Sequence, residues 1–180
     1  VRAGNVIGGG DWAKDRLVVD LVLALSQGKQ VKIRSPNSTR PWQHVLEPLS
    51  GYLHLGQALY TNKKLNGEGF NFGPPADQDH PVKKVLEDLS FYWGLKNKSH
   101  IYKVVEDSYF HESGLLRLNC EKSFSVLKWE ATLNYQETIK LTSEWYYDYY
   151  NSSNNMLELT SQQISHYQNI ANSKSQQWTE

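Results

Sequence analysis

The feature that most constrains this chain is its opening, VRAGNVIGGGDWAKDRLVVDLVLAL. A strand pattern over 2–7 stops at Gly8-Gly9-Gly10, and apolar residues at Leu17, Val18, Leu21, Val22 and Leu25 then form one helical face over 15–27, closed by Gly28. A strand that hands over to an amphipathic helix within a dozen residues is the unit of an α/β fold. The remaining pattern continues it. Short strands are expected over 30–33, 69–73 and 101–105. Helices are expected over 48–60, with Pro48 in its opening turn, and over 81–93, 121–127, 135–150 and 157–170. A polar break covers 151–155, and the tail from Asn172 is polar enough to fray, which gives a lobe over 1–171 and a tail over 172–180. There is no internal repeat. Residue 1 is a valine followed at once by strand residues, so an upstream segment is expected to precede this sequence.

Charge narrows the partners. Nineteen basic residues balance nineteen acidic ones, so no global field favours nucleic acid or an anionic membrane. No run approaches the roughly 20 apolar residues of a transmembrane helix, and the single cysteine, Cys120, leaves no internal disulfide framework and fits a reducing cytoplasm. Trp145, Tyr146, Tyr149 and Tyr150 fall at helical spacings without interleaved lysines, a pattern of core and interface packing rather than of base stacking.

Gly8-Gly9-Gly10-Asp11-Trp12-Ala13 matches G-x-G-x-x-A in letters and imitates the start of a dinucleotide-binding domain. Asp11 and Asp15 would set negative charge against a pyrophosphate, Trp12 is bulky where backbone must approach closely, and the Pro41 region does not continue a βαβ series. Tyr60 and Lys64 fit Tyr-x-x-x-Lys, but at a helix end. His54, His80, His100 and His166 lack metal-ligand spacing, and neither H-E-x-x-H nor the G-x-S-x-G elbow of a hydrolase is present. No catalytic residue and no metal ligand is therefore assigned.

The segments RAGNVIGGGDW, DRL, RPWQHVLEPLSGYL, FNFGPP, HESGLLRLN and EWYYDYY together resemble the C-terminal half of extended short-chain dehydrogenase/reductase enzymes that act on nucleotide sugars. GNVIGGGDW and RPWQHVLEPLSGYL, where generic relatives carry something like NVYGP and R-D-x-x-x-V-x-D, point within that family to the CDP-glucose branch of its 4,6-dehydratases. The resemblance implies an α/β substrate-binding lobe of a Rossmann-type enzyme with most of the Rossmann domain absent. It also implies a CDP-glucose substrate, a homo-oligomeric full-length enzyme, and NAD held mainly by the missing N-terminal half. The family oxidises the sugar at C4, eliminates water across C5 and C6, and returns the hydride to C6. The Gly-rich loop, Tyr-x-x-x-Lys pair and acid/base pair for those steps lie upstream of the region matched here. Two alternatives stay open: the same lobe of a nucleotide-sugar epimerase or another dehydratase, and a binding module without catalysis.

A nucleotide diphosphate needs guanidinium forks and amide donors, because a planar Arg group can pair two oxygens at once. By resemblance, Asn5 and Arg40 contact the diphosphate, Arg16 and Leu17 head the helix that lines it, and Arg34 lies against the nucleobase, where it can stack on cytosine. Asn71 matches a strand-end position near the substrate, and His111 lies in a substrate-contacting loop. Val1 and Arg2 border the cofactor, with Val1 to Gly4 as one wall of the nicotinamide pocket. The bland readings are a solvated charge for each arginine, a satisfied strand residue for His44 and a turn cap for Asn71.

Overall fold

The computed structural model describes residues 1–95, 101–105 and 117–179. In chain order the elements are β1 (Arg2–Ala3), β2 (Asn5–Ile7), α1 (Leu17–Ser26), β3 (Val31–Ile33), β4 (Thr39–Arg40), β5 (Trp42–His44), α2 (Leu46–Thr61), β6 (Asn71–Phe72), β7 (His80–Pro81), α3 (Val82–Tyr92), β8 (Tyr102–Val104), α4 (Glu121–Leu127), α5 (Tyr135–Asn151) and α6 (Met156–Ser173). The α/β class expected from the opening pattern is the one found.

The single strand expected over 2–7 is two strands, because the chain changes partner at Gly4. β1 pairs in parallel with β6, whereas β2 pairs in parallel with β5 through Asn5–Trp42, Val6–Gln43 and Ile7–His44. A Cβ at Gly4 would stand 2.6 Å from the Pro41 carbonyl oxygen, so only glycine lets the backbone cross between partners. Buried Gln43 ties the two pairs by donating to the Phe72 carbonyl at 2.9 Å. β3 pairs in parallel with β8, and β4 pairs antiparallel with β7 through Arg40–His80.

Three of these strands, β4, β5 and β7, have no range in the sequence reading, which takes only His44 of β5 as a strand residue. They are two or three residues long, and all three residues of β5 are buried, so no alternation marks them. α2 starts two residues before Pro48, because β5 runs into it through helical Val45. Pro48 still falls in the first turn, where its missing N–H costs nothing. α5 begins with a capping box: the Glu137 N–H donates to Asn134 Oδ1 at 2.9 Å, and Glu137 Oε2 accepts from the Asn134 N–H at 2.8 Å.

The tail departs from expectation. α6 runs on to Ser173, Gln176 is buried, and the Trp178 ring stacks on Tyr167 with centroids 5.6 Å apart. One apolar anchor, Trp178, outweighs the polar residues around it.

Among the described residues three apolar clusters hold the fold, the smallest of them Leu133, Leu141 and Tyr167 between α5 and α6. The largest packs α1, β2, β3, α3 and α5 around Leu21, Val85, Leu86, Ile139 and Tyr146. The second joins α2, β6 and α4 through Phe70, Phe72, Leu127 and Trp129, with Phe72 edge-to-face on Trp129 at 4.9 Å. Between α2 and α6 lies a buried polar hub. Glu47 accepts from the Thr132 N–H at 2.9 Å, the Leu133 N–H at 2.6 Å and the Tyr167 hydroxyl at 3.0 Å, and Lys174 Nζ donates to the Thr132 carbonyl at 2.5 Å. Ser50 Oγ, which contacts the same Tyr167 hydroxyl at 2.9 Å, accepts from Trp129 Nε1 at 3.0 Å. Burial pushes the Glu47 carboxyl up to about 7 against the downward pull of those donors and of the Lys174 charge.

Candidate functional site

The end of β2, the loop over 8–16, the start of α1, the end of β3 and β4 surround a cleft of about 490 Å³. Five residues singled out in the sequence, Asn5, Arg16, Leu17, Arg34 and Arg40, line it together. They come from four separate stretches of chain, and the β2–β5 pairing beside β4 brings Asn5 and Arg40 to the same wall.

The loop over 8–16 is held from below by α5. A Cβ at Gly9 would lie inside the indole of Trp145, so the glycine run accommodates an aromatic ring rather than a phosphate. Gly10, at φ +78°, turns the chain in a conformation that favours glycine. The next residue is clamped: the Tyr146 hydroxyl accepts from the Asp11 N–H at 3.2 Å and donates to the Asp11 carbonyl at 2.9 Å. Burial pushes that hydroxyl up to about 12, so it keeps its proton to donate. Asp11 Oδ1 accepts from the Ala13 N–H at 3.0 Å and Oδ2 pairs with Arg16 Nη1 at 2.7 Å, which fixes the guanidinium at the mouth of α1. Trp12 closes the outside against Tyr149 and Tyr146, with centroids at 4.9 and 5.6 Å.

The cleft suits an anion flanked by a planar group. Arg16, Lys32, Arg34 and Arg40 contribute positive charge against three carboxylates, Asp11, Asp15 and Asp20, of which Asp11 is spent on Arg16 and Ala13. α1 starts without a side-chain cap, and its first residues Leu17, Val18 and Val19 line the cleft, so the positive end of the helix dipole meets it. The Asn5 side-chain amide has no hydrogen-bond partner among the described residues, and Arg40 Nη1 donates to the Thr39 carbonyl at 2.9 Å.

The other sequence-marked residues lie elsewhere. Asn71 does not line this cleft; its amide donates to the Asn119 carbonyl at 2.8 Å. Arg2, on β1, and Val1, just before it, are exposed at the far end of the β1–β2 run, and His111 falls outside the described residues. His44 is buried and its ring is pushed down to about 4 by burial. A second cavity, of about 290 Å³, is bounded by Pro41, Pro74 and the ion pair of Arg117 Nε with Asp79 Oδ2 at 2.7 Å. Among the described residues no metal-ligating cluster exists and no helix is long and apolar enough to cross a membrane.

Sequence reasoning missed Asp20, Lys32, Trp42 and Tyr146, all on the cleft wall. Two were within reach of periodicity. Asp20 lies three residues after Leu17, on the same helical face, and Lys32 lies two before Arg34, on the same strand face.

No family model matches the chain. It is 42% identical over 146 residues to the CDP-glucose 4,6-dehydratase of Salmonella typhimurium, a match that covers 81% of this chain and 40% of that protein, and the two are homologous. The chain thus spans about two fifths of the length of the curated relative it matches. Its structure is similar to UDP-glucuronic acid 4-epimerase from Bacillus cereus, solved with UDP-glucuronic acid and NAD (TM-score 0.68, 17% identity, 82% of this chain and 44% of that one). It is also similar to dTDP-glucose 4,6-dehydratase from Bacillus anthracis, solved with NAD (TM-score 0.65, 22% identity, 81% and 43%). The fold is that of a portion of Rossmann-type extended short-chain dehydrogenase/reductase enzymes, as the GNVIGGGDW and RPWQHVLEPLSGYL resemblance led one to expect.

Proposed function

We propose that this chain is the substrate-holding lobe of an NAD-dependent lyase that converts CDP-glucose to CDP-4-keto-6-deoxyglucose. The observation that carries the reading is the convergence of Asn5, Arg16, Leu17, Arg34 and Arg40 on one cleft, in a chain homologous to a CDP-glucose 4,6-dehydratase. Arg40, Arg16 and Asn5 take the diphosphate, with the uncapped start of α1 as a further source of positive potential. Arg34 packs its guanidinium on the base. Asn71 and His111 are assigned to the sugar side.

NAD does not fit the residues described. The only glycine loop with the right spacing is filled by Trp145, so no step through the cofactor is derived from this chain. A further part of the protein would hold NAD, with Val1 and Arg2 at its border. The oligomeric state belongs to that full-length enzyme, and a cytoplasmic location suits its nucleotide-sugar substrate and deoxysugar product, a building block of lipopolysaccharide.

Calorimetric titration of the full-length protein with CDP-glucose, and with dTDP-glucose as control, tests the reading, followed by mass spectrometry of the product. Selective binding and loss of one water from CDP-glucose are expected. Turnover of a nucleotide sugar without mass change would replace the dehydratase with an epimerase, an activity found on the same fold. Absence of binding to any nucleotide sugar would overturn both.

A further inference from the structure

We propose that Asp20 reads the nucleobase: its carboxylate accepts a hydrogen bond from the exocyclic amino group of a cytosine seated in the cleft, and so selects cytidine over uridine and thymidine diphosphate sugars. This inference rests on the nucleotide-sugar reading above and deepens it.

Three described carboxylates, Asp11, Asp15 and Asp20, lie on the cleft wall. Asp11 is saturated by the Ala13 N–H and Arg16. Asp15 is exposed on the loop before α1, at φ +63°. Asp20 is half-buried and makes no hydrogen bond or ion pair with another described residue. Its backbone N–H donates to the Arg16 carbonyl at 2.9 Å, which anchors its Cα one turn inside the helix whose start lines the cleft. Lys32 and Arg34 come to the same cleft from β3, which packs against α1. A ring lying against Arg34 would therefore be flanked by α1, with the one unengaged, half-buried carboxylate among the described wall residues on that side.

The chemistry of the pyrimidines then decides what such a group can recognise. Cytosine carries an amino donor at position 4, and uracil and thymine carry a carbonyl acceptor there. An ionised carboxylate has only acceptors, so it bonds the first and repels the second. Discrimination by a buried polar group is strong because the wrong base leaves that group unpaired, which costs more than a missing contact. Burial and the Asp15 charge push the Asp20 carboxyl above its ordinary range, as expected of an acceptor held without a partner until ligand arrives.

The test compares the full-length protein with its Asp20→Asn variant by calorimetric titration of CDP-glucose, UDP-glucose and dTDP-glucose. Asparagine keeps the size and can turn its amide to donate to a carbonyl, so the preference for CDP-glucose should fall by roughly tenfold to a hundredfold in the variant. A ligand-side arm does not depend on how the variant folds. CDP-glucose with hydrogen in place of the amino group should bind the unaltered protein weaker by a similar factor, and should show no such deficit against CDP-glucose in Asp20→Asn. An unchanged preference in the variant, or an equal loss for all three sugars, would remove Asp20 as the reader and leave the proposed function standing. Unaltered protein that binds UDP- or dTDP-glucose as well as CDP-glucose would overturn both the Asp20 assignment and the CDP assignment. Unaltered protein that binds no nucleotide sugar would sink the proposed function itself.

Discussion

Glu47 and Asp20 are both acidic residues on helices, and they stand in opposite situations. Around Glu47, between α2 and α6, donors surround the carboxylate, and residues more than 80 positions away in the chain supply them. Around Asp20, on the cleft wall, no described residue supplies one. A buried carboxyl whose oxygens are met by donors of the protein ties elements together, whereas a half-buried one with no protein partner stays open to a ligand. The hub therefore spends its donors on the fold, while the cleft keeps a carboxyl without a protein partner, although both are built from the same residue types.

The largest expected effect is in the hub. Glu47→Ala strands two backbone N–H groups and the Tyr167 hydroxyl in a buried site, and should lower unfolding free energy by about 3–5 kcal/mol, read from urea denaturation. A loss below about 1 kcal/mol would mean that water or neighbouring groups replace the carboxylate, and the contrast with the cleft would fail.

The hub and its neighbour His44 also titrate in opposite senses. Glu47 is pushed up from 4.5 to about 7, so its contribution to stability is full below about pH 4.5 and is lost as pH rises to about 7. His44 is pushed down from 6.5 to about 4, so its contribution is full above about pH 6.5 and is lost as pH falls to about 4. Each is worth up to about 3 kcal/mol, and between pH 4.5 and 6.5 they oppose each other. Stability of the unaltered protein should be nearly flat there. Glu47→Gln should leave a profile that rises with pH over that interval, and His44→Gln one that falls. Parallel slopes in both variants would show that the two groups do not compensate.

The two regions also differ in how far the sequence discloses them. The lining of the cleft was legible only through the resemblance of GNVIGGGDW and RPWQHVLEPLSGYL to enzymes that act on nucleotide sugars, because an arginine at a helix start or strand end, such as Arg16 or Arg34, is by itself an ordinary solvated charge. Glu47 was not legible, since it lies inside RPWQHVLEPL with nothing to mark its donors, which come from backbone at Thr132 and Leu133 and from a tyrosine near the C-terminus. Helices were read within a few residues because 3.6-residue periodicity is a local signal. β4, β5 and β7 were not, because pairing of two- and three-residue strands is decided by the distant chain they meet. Asp20 escaped notice for a different reason: periodicity puts it on the face of Leu17, but an acidic residue in a first helical turn is ordinary until the cleft beside it is seen.

In the cleft, Arg40→Ala should weaken CDP-glucose binding by about 2–3 kcal/mol in calorimetry, the scale for losing a charged hydrogen-bonding partner. The thermal midpoint should move much less than in Glu47→Ala. A large fall in the midpoint with unchanged affinity would transfer Arg40 from the cleft to the structural side of the comparison.

The smallest effect tests the place where the regions of packing and binding meet. Tyr146 has its ring wholly buried in the largest core cluster, while its hydroxyl exchanges two hydrogen bonds with the Asp11 backbone at the cleft wall. Tyr146→Phe keeps the ring and removes the clamp, next to solvent that can satisfy Asp11 instead, so stability should fall by only about 1 kcal/mol. Asp11 also pairs with Arg16 at 2.7 Å, and an Asp11 free to move lets that guanidinium wander from the diphosphate position. Affinity for CDP-glucose should therefore drop by about threefold to tenfold, and equally for UDP- and dTDP-glucose, because the diphosphate is common to all three. That uniform loss separates Tyr146, a positioning residue, from Asp20, whose loss depends on the base. Unchanged affinity would mean that Trp145 beneath Gly9 holds the loop by packing alone, and the clamp would then belong to the fold rather than to the site.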